Sequence, residues 1–154
     1  PLNTAVANSA LLIASKFGMD VTLLCPEEAY RLDSQFESAA KRFADESGGS
    51  YTLTHDIEQA YSGADVVYAK SWGALPYYGR PGDEWELRKN YRHFIVDEEK
   101  MALTRNGLFS HCLPLRRNVK ATDGVMDADY CVALDEAENR LHVQKAIMLK
   151  LLGR

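Results

Sequence analysis

Val21-Thr22-Leu23-Leu24-Cys25, closed by Pro26 and preceded by a helical pattern that stops at Gly18, is the stretch that decides the fold. A short, nearly continuous apolar run of this kind predicts a strand buried on both faces, the habit of parallel rather than antiparallel sheets. Upstream, Asn3 and Thr4 can cap a helix whose apolar residues Val6, Ala10, Leu11, Ile13 and Ala14 recur at helical spacing. Downstream, Asp33 can cap a second helix running towards Glu46, with Phe36, Ala39, Ala40 and Phe43 on its inner face and Gly48-Gly49 as its stop. A strand set between two helices is the start of an alternating α/β chain.

The alternation continues to the end. Tyr51-Thr52-Leu53 predicts a short edge strand, Asp56 to Tyr61 a brief helix, and Asp65-Val66-Val67-Tyr68-Ala69 a third strand. Gly73, Pro76, Gly79, Pro81 and Gly82 then make a long irregular loop, a length usually reserved for functional or mobile segments. Asp83 to Arg92 and Asp97 to Leu103 predict helices opened by Asp caps, Leu108-Phe109-Ser110 a fourth strand, and Thr122 to Asp127 a short helix. Cys131-Val132-Ala133-Leu134 predicts a fifth strand and Glu136 to Leu152 a long terminal helix. The expected architecture is α/β: a doubly wound, Rossmann-like, five-stranded parallel sheet with helices on both faces, in a single domain over residues 1–154.

Composition narrows the function classes. Apolar content of 46% and charged content of 26% are ordinary globular values, and a chain of 154 residues buries about two-thirds of its unfolded surface. A net charge of −4 with pI near 5.6 argues against nucleic acid as a partner, because phosphate neutralisation needs a basic face. Cys25, Cys112 and Cys131 show no CxxC spacing and are odd in number, which fits free thiols in a reducing cytoplasm and no metal site. Cys25 and Cys131 lie in apolar runs and are expected to be buried and inert. No apolar run reaches a membrane span and no signal peptide is visible, so neither membrane nor export is expected. The chain begins at Pro1 and enters a helical pattern almost at once, so a segment in front of it is expected.

Ligands of open parallel sheets sit beyond the carboxyl ends of the strands, and two strand ends here carry chemistry. Lys70 and Trp72 follow the third strand. The fourth leads into Ser110-His111-Cys112-Leu113-Pro114-Leu115-Arg116-Arg117-Asn118-Val119-Lys120, where an imidazole, a thiol, two guanidiniums and an amine form an anion-handling loop. A dinucleotide site is excluded, because Cys25-Pro26-Glu27-Glu28 lacks the G-x-G-x-x-G that admits pyrophosphate and puts acid in its place. No G-x-S-x-G elbow, P-loop or H-E-x-x-H is present. Taken alone, these residues leave both an enzyme and a non-catalytic small-anion-binding α/β module open.

Three motifs add a resemblance. His111-Cys112-Leu113-Pro114, the stretch Asp135-Glu136-Ala137-Glu138-Asn139-Arg140-Leu141-His142-Val143-Gln144-Lys145-Ala146, and the opening Leu2-Asn3-Thr4-Ala5-Val6-Ala7-Asn8-Ser9 together resemble the ornithine-type transcarbamylases. The resemblance spans essentially the whole chain but matches only the carboxyl-terminal, amino-acid-binding half of such enzymes. Their S-x-R-T-R phosphate loop and H-P-x-Q motif, which lie in the amino-terminal domain, have no counterpart here. The resemblance implies carbamoyl transfer from carbamoyl phosphate in arginine biosynthesis, with no cofactor, in a homotrimer whose missing amino-terminal domain holds the phosphate.

Ordinary members of that family carry Asp-x-x-x-Ser-Met-Gly after the third strand, where the acid holds the α-ammonium of ornithine. Here the matching stretch is Lys70-Ser71-Trp72-Gly73-Ala74-Leu75-Pro76-Tyr77-Tyr78-Gly79. A lysine there repels a free ammonium and suits an acylated amine beside a free carboxylate. With Leu115 to Asp123, this resembles the subgroup that converts N-acetylornithine into N-acetylcitrulline; the N-succinylornithine subgroup is separated from it largely by the absent half. The resemblance implies that Cys112 and Arg140 lie against the carbamoyl group, Arg140 polarising its oxygen while the Leu113 carbonyl accepts from its NH₂. It implies Asn3, Lys70 and Arg116 at the amino-acid carboxylate and amide, and a carboxylated lysine at Lys120, with His111 contacting that carbamate or satisfying the turn.

The plainer reading of Arg140 is a helix-surface ion pair with Glu136 or Glu138. Arg117, His55, His93 and His142 are expected to be structural or exposed. Leu141, Ile147, Leu149, Leu151 and Leu152 are expected to include an exposed patch where the last helix would reach the missing domain.

Overall fold

The computed structural model describes residues 5–70 and 73–153. They form two compact units, one drawn from residues up to Ser62 together with Lys70–Phe94, the other from Gly63–Ala69 and from Ile95 onward.

In the first unit, helix α1 (Ala5–Lys16) leads to strand β1 (Asp20–Leu24), and helix α2 (Ser34–Ser47) connects β1 to β2 (Ser50–Thr54). β1 and β2 pair in parallel, from Asp20↔Ser50 to Leu24↔Thr54. The ends of α2 follow from its sequence: the Asp33 side chain accepts from the Gln35 N–H at 2.9 Å, and Gly48 takes the left-handed φ of 82° that a side chain disfavours. Ala40 and Ala44 are buried while Phe36, Ala39 and Phe43 are half-buried. The core here gathers Leu11, Leu32 and Ala40, with Val21, Leu23 and Tyr51 packed against them. Glu37 is also buried on α2, and Arg31 satisfies it with a two-pronged contact, Nε to Oε1 at 3.3 Å and Nη2 to Oε2 at 2.5 Å.

Helix α3 (Ile57–Tyr61) is capped by Asp56, which accepts from Gln59 N–H at 3.0 Å. After the 3₁₀ turn Leu75–Tyr77 comes α4 (Pro81–Arg88), followed by 3₁₀ turns over Lys89–Phe94. The helix expected from Asp83 therefore starts two residues earlier. Pro81, with its φ preset for a first turn, opens it, and Asp83 lies inside that turn instead of capping it. A second cluster joins Cys25, Tyr30 and Ala74 to Leu53, Tyr77, Leu87 and Tyr91. It anchors the irregular loop, and Glu84 adds a tether by accepting from the Ala74 N–H at 3.3 Å.

In the second unit, β3 (Val66–Ala69) pairs in parallel with β4 (Leu108–His111), from Val66↔Leu108 to Ala69↔His111. Helix α5 (Glu98–Met101) is capped by Asp97, α6 (Asp123–Met126) by Thr122, and α7 (Ala133–Leu151) closes the unit. Phe109, Ala121 and Val125 are fully buried. A Cβ at Gly124 would stand 1.6 Å from Glu98 Oε1, so the Glu98 side chain would have to move aside.

The α/β class and the parallel pairing agree with expectation, whereas the five-stranded doubly wound sheet does not. Among the described residues there are two parallel sheets of two strands each. The expected fifth strand is reduced to one bridge, Phe109↔Cys131, because the chain turns at Val132 and Ala133 and Leu134 already belong to α7. Ala and Leu are strong helix formers continuous with the helical pattern behind them, and helix wins over extension. Nor are all the strands covered on both faces: β4 is buried from Phe109 to His111, but β3 is not. On β3, Val66 and Tyr68 are exposed while Val67 and Ala69 are half-buried.

No helix among the described residues is long and apolar enough to cross a membrane. Leu141, Ile147, Leu149 and Leu151 on α7 are exposed, and so is Leu152 directly after it, as the resemblance led us to expect.

Candidate functional site

β4 delivers His111 at its last position, where the ring is 1% exposed. Its Nδ1 lies 2.5 Å from the Cys112 carbonyl oxygen. A carbonyl only accepts, so Nδ1 carries the proton and the ring pins the peptide that begins Cys112-Leu113-Pro114. The Leu113–Pro114 bond is cis, Cys112 is half-buried and Leu113 exposed.

Beyond Pro114 the chain folds into a tight turn. The Arg116 carbonyl accepts from Val119 N–H at 3.2 Å and Lys120 N–H at 3.1 Å, and Asn118 adopts a left-handed φ of 56°, which Asn tolerates. The Asn118 side chain brackets Asp123, accepting its N–H at 3.0 Å and donating to its carboxylate at 2.7 Å. Lys120 is half-buried, and its peptide is clamped: its carbonyl accepts from Val96 N–H at 3.0 Å, while Thr122 N–H donates to Val96 at 2.9 Å. Arg117, assigned to the surface by its sequence, braces this turn against Asp123 at 2.9 Å and Asp127 at 2.5 Å. Hydrogen bonds from Asn118 and Arg117 hold the Asp123 carboxyl below its ordinary range, and Arg117 does the same for Asp127. Arg116 is exposed and has no ion pair among the described residues.

The strand register brings in residues that the sequence did not single out. Tyr68 stands opposite Ser110, and both hydroxyls donate to Glu136 in the first turn of α7: Tyr68 to Oε1 at 3.1 Å, Ser110 to Oε2. Tyr68 also meets the Cys112 thiol. Partial burial, then the neighbours Cys112 and Glu136, push its hydroxyl well above the ordinary tyrosine value. Arg140 lies one turn beyond Glu136 and is exposed. It has no ion pair among the described residues; Glu138 instead faces His142 at 3.7 Å.

Lys70 is half-buried in the first unit, directly after β3 in sequence, with no ion pair among the described residues. Asn3, Thr4 and Trp72 lie outside the described residues. His111, Cys112, Leu113, Arg116, Lys120 and Arg140 all fall in the second unit. Glu136, which receives the Tyr68 and Ser110 hydroxyls, lies four residues before Arg140 on α7. Of this arrangement, only that spacing is visible in the sequence.

One other cluster resembles a catalytic triad without its chemistry. His55 Nδ1 lies 3.6 Å from Cys25 Sγ, and Nε2 lies 3.4 Å from Glu28. The same Nδ1, however, donates to the Cys25 carbonyl at 2.8 Å, and burial followed by the Glu37 and Glu28 charges raises the thiol to about 11. Iodoacetamide at pH 8 should therefore modify the half-buried Cys112 and Cys131 well before Cys25, read by peptide mass spectrometry. Preferential labelling of Cys25 would contradict its assignment as an inert thiol.

Among the described residues no group of three His, Cys, Asp or Glu side chains could hold a metal ion. What the second unit offers is a set of donors: a thiol, exposed guanidiniums and a lysine on a clamped turn. Such a set polarises a carbonyl and receives anions.

Known proteins carry the same framework. The family model described as aspartate/ornithine carbamoyltransferase, Asp/Orn binding domain, matches residues 2–151. An N-acetylornithine carbamoyltransferase of Xanthomonas campestris pv. campestris is 67% identical over 154 residues, which is 100% of this chain and 45% of that relative. An ornithine carbamoyltransferase of Pyrococcus abyssi is 40% identical over 149 residues, 96% of this chain and 46% of the relative. The crystal structure of an acetylornithine transcarbamylase complexed with acetylcitrulline superposes with a TM-score of 0.95 at 68% identity, covering 98% of this chain and 45% of that one. The chain thus spans just under half the length of the relatives it matches.

Proposed function

Since the chain belongs to the aspartate/ornithine carbamoyltransferase family, whose Asp/Orn binding domain it matches over residues 2–151, we propose that it is the amino-acid-binding half of an N-acetylornithine carbamoyltransferase. The observation that carries this reading is the rise in identity from 40% with an ornithine enzyme to 67% with an N-acetylornithine enzyme. Lys70, where an acid would hold a free α-ammonium, supports it on physical grounds.

The reaction is carbamoyl transfer. The neutral δ-amine of N-acetylornithine attacks the carbamoyl carbon of carbamoyl phosphate, phosphate leaves with the C–O electron pair, the nitrogen sheds a proton, and N-acetylcitrulline forms. Arg140 stabilises the charge developing on the carbamoyl oxygen, Cys112 packs against the group as a thiol, and the Leu113 carbonyl accepts from its NH₂. His111, through Nδ1, holds the Cys112 peptide in place for that contact. Asn3, Lys70 and Arg116 take the carboxylate and amide of the substrate. Lys120, half-buried on its clamped turn, is the lysine we assign to a carbamate. The phosphate-binding wall belongs to an amino-terminal domain, and the complete enzyme is a cytoplasmic homotrimer.

The decisive assay mixes carbamoyl phosphate with N-acetylornithine, N-succinylornithine or ornithine and measures the citrulline product, with this chain alone and with it joined to an amino-terminal half. Acetylcitrulline is expected only from the joined form. Turnover by the chain alone would mean that the phosphate site is misassigned, and a preference for ornithine would remove the argument from Lys70. No turnover in either form would favour a non-catalytic anion-binding module.

A further inference from the structure

We propose that Glu136 is a positioning residue for this site: the Tyr68 and Ser110 hydroxyls, one on each carboxylate oxygen, hold that carboxylate towards the β3–β4 sheet and so out of an ion pair with Arg140. The proposal rests on the reading of Arg140 as the donor to the carbamoyl oxygen. A glutamate four residues before an arginine is the favoured order for an ion pair along one helix face, so an Arg140–Glu136 pair is the default expectation for α7. A guanidinium engaged in this way offers a neutralised, geometrically committed fork, and its power to polarise a carbonyl falls.

The structure avoids that pairing through the sheet. Tyr68 and Ser110 are register partners at the ends of β3 and β4, and they reach the carboxylate together, Tyr68 at Oε1 and Ser110 at Oε2. Arg140 is left exposed without an ion pair among the described residues, and Glu138 faces His142.

The test removes the hydroxyls and then the carboxylate in the complete enzyme. In Tyr68→Phe/Ser110→Ala, Glu136 is freed to take Arg140; kcat for acetylcitrulline formation should fall about twofold, the worth of an exposed i,i+4 pair, with KM for N-acetylornithine little changed. Phenylglyoxal modification of Arg140, followed by mass spectrometry of its peptide, should slow about twofold in the same variant. Adding Glu136→Gln should restore both, because an amide cannot form the ion pair. A merely structural role predicts the reverse, with the third substitution slowing the enzyme further. A triple variant as slow as the double, or unchanged Arg140 labelling in the double, overturns the proposal. Should the double variant not fold, Tyr68→Phe alone frees one oxygen and is read the same way. If the unaltered enzyme makes no acetylcitrulline, the proposed function fails, and the labelling series still decides the role of Glu136.

Discussion

Arg140→Met in the complete enzyme is expected to lower kcat for acetylcitrulline formation by roughly 10²–10³-fold, the loss typical of removing one donor to a developing oxyanion. Met keeps the length and helix propensity of the side chain, so α7 should persist. Because Arg140 is exposed and has no ion pair among the described residues, its removal should change folding stability by no more than about 0.5 kcal/mol. The combination separates the two readings of this residue. A surface arginine would cost little in either measurement, whereas a donor to the carbamoyl oxygen costs rate alone. Steady-state kinetics beside a thermal unfolding curve makes the distinction, and a rate loss below tenfold would sink the assignment.

The second large effect concerns the floor of the same site. Phe109→Ala should destabilise the protein by about 3–5 kcal/mol, the range for deleting a fully buried ring and leaving a cavity. Phe109 is 0% exposed, its N–H donates to the Tyr130 carbonyl at 2.9 Å, and its own carbonyl accepts from Val132 N–H at 2.9 Å. It also pairs with Val67 in the register of β3 and β4 and is followed immediately by Ser110 and His111. Urea denaturation should show a lower midpoint with an unchanged slope. Leu108→Ala is the control, since that neighbour is 44% exposed and should cost far less. Equal losses for the two would mean that β4 is not packed as described.

Much of the secondary structure was legible because it is written in local chemistry. The Asp33, Asp56, Asp97 and Thr122 caps each accept from a backbone N–H of the turn they open, as their side chains require. Misjudgements arose where a local signal was ambiguous. Cys131-Val132-Ala133-Leu134 is apolar and short, a pattern that suits a strand or the start of a helix equally, and only the turn at Val132 resolves it. The short apolar runs of β1 and β3 predict strands covered on both faces, yet Asp20 and Thr22 of β1 and Val66 and Tyr68 of β3 are exposed.

The candidate site divides in the same way. His111, Cys112, Arg116 and Lys120 could be named from the cluster of donors in one loop, because the chemistry of anion handling restricts the residue types, and Arg140 from the 135–146 motif that carries the family resemblance. The hydroxyls of Tyr68 and Ser110 could not, since neither carries a spacing signal and they meet Glu136 only through a register between strands far apart in the chain. Likewise Arg117 looked like a surface cation, and its bracing of Asp123 and Asp127 depends on the left-handed turn at Asn118.

By itself, then, the sequence determined the alternation of helices and parallel strands, the helix caps and the inventory of donors, all of which follow from side-chain properties within a few residues. The tertiary structure alone decided the two-stranded sheets and the meeting of the Tyr68 and Ser110 hydroxyls on the Glu136 carboxylate. Those features depend on strand register and burial, which exist only once distant segments have been brought together.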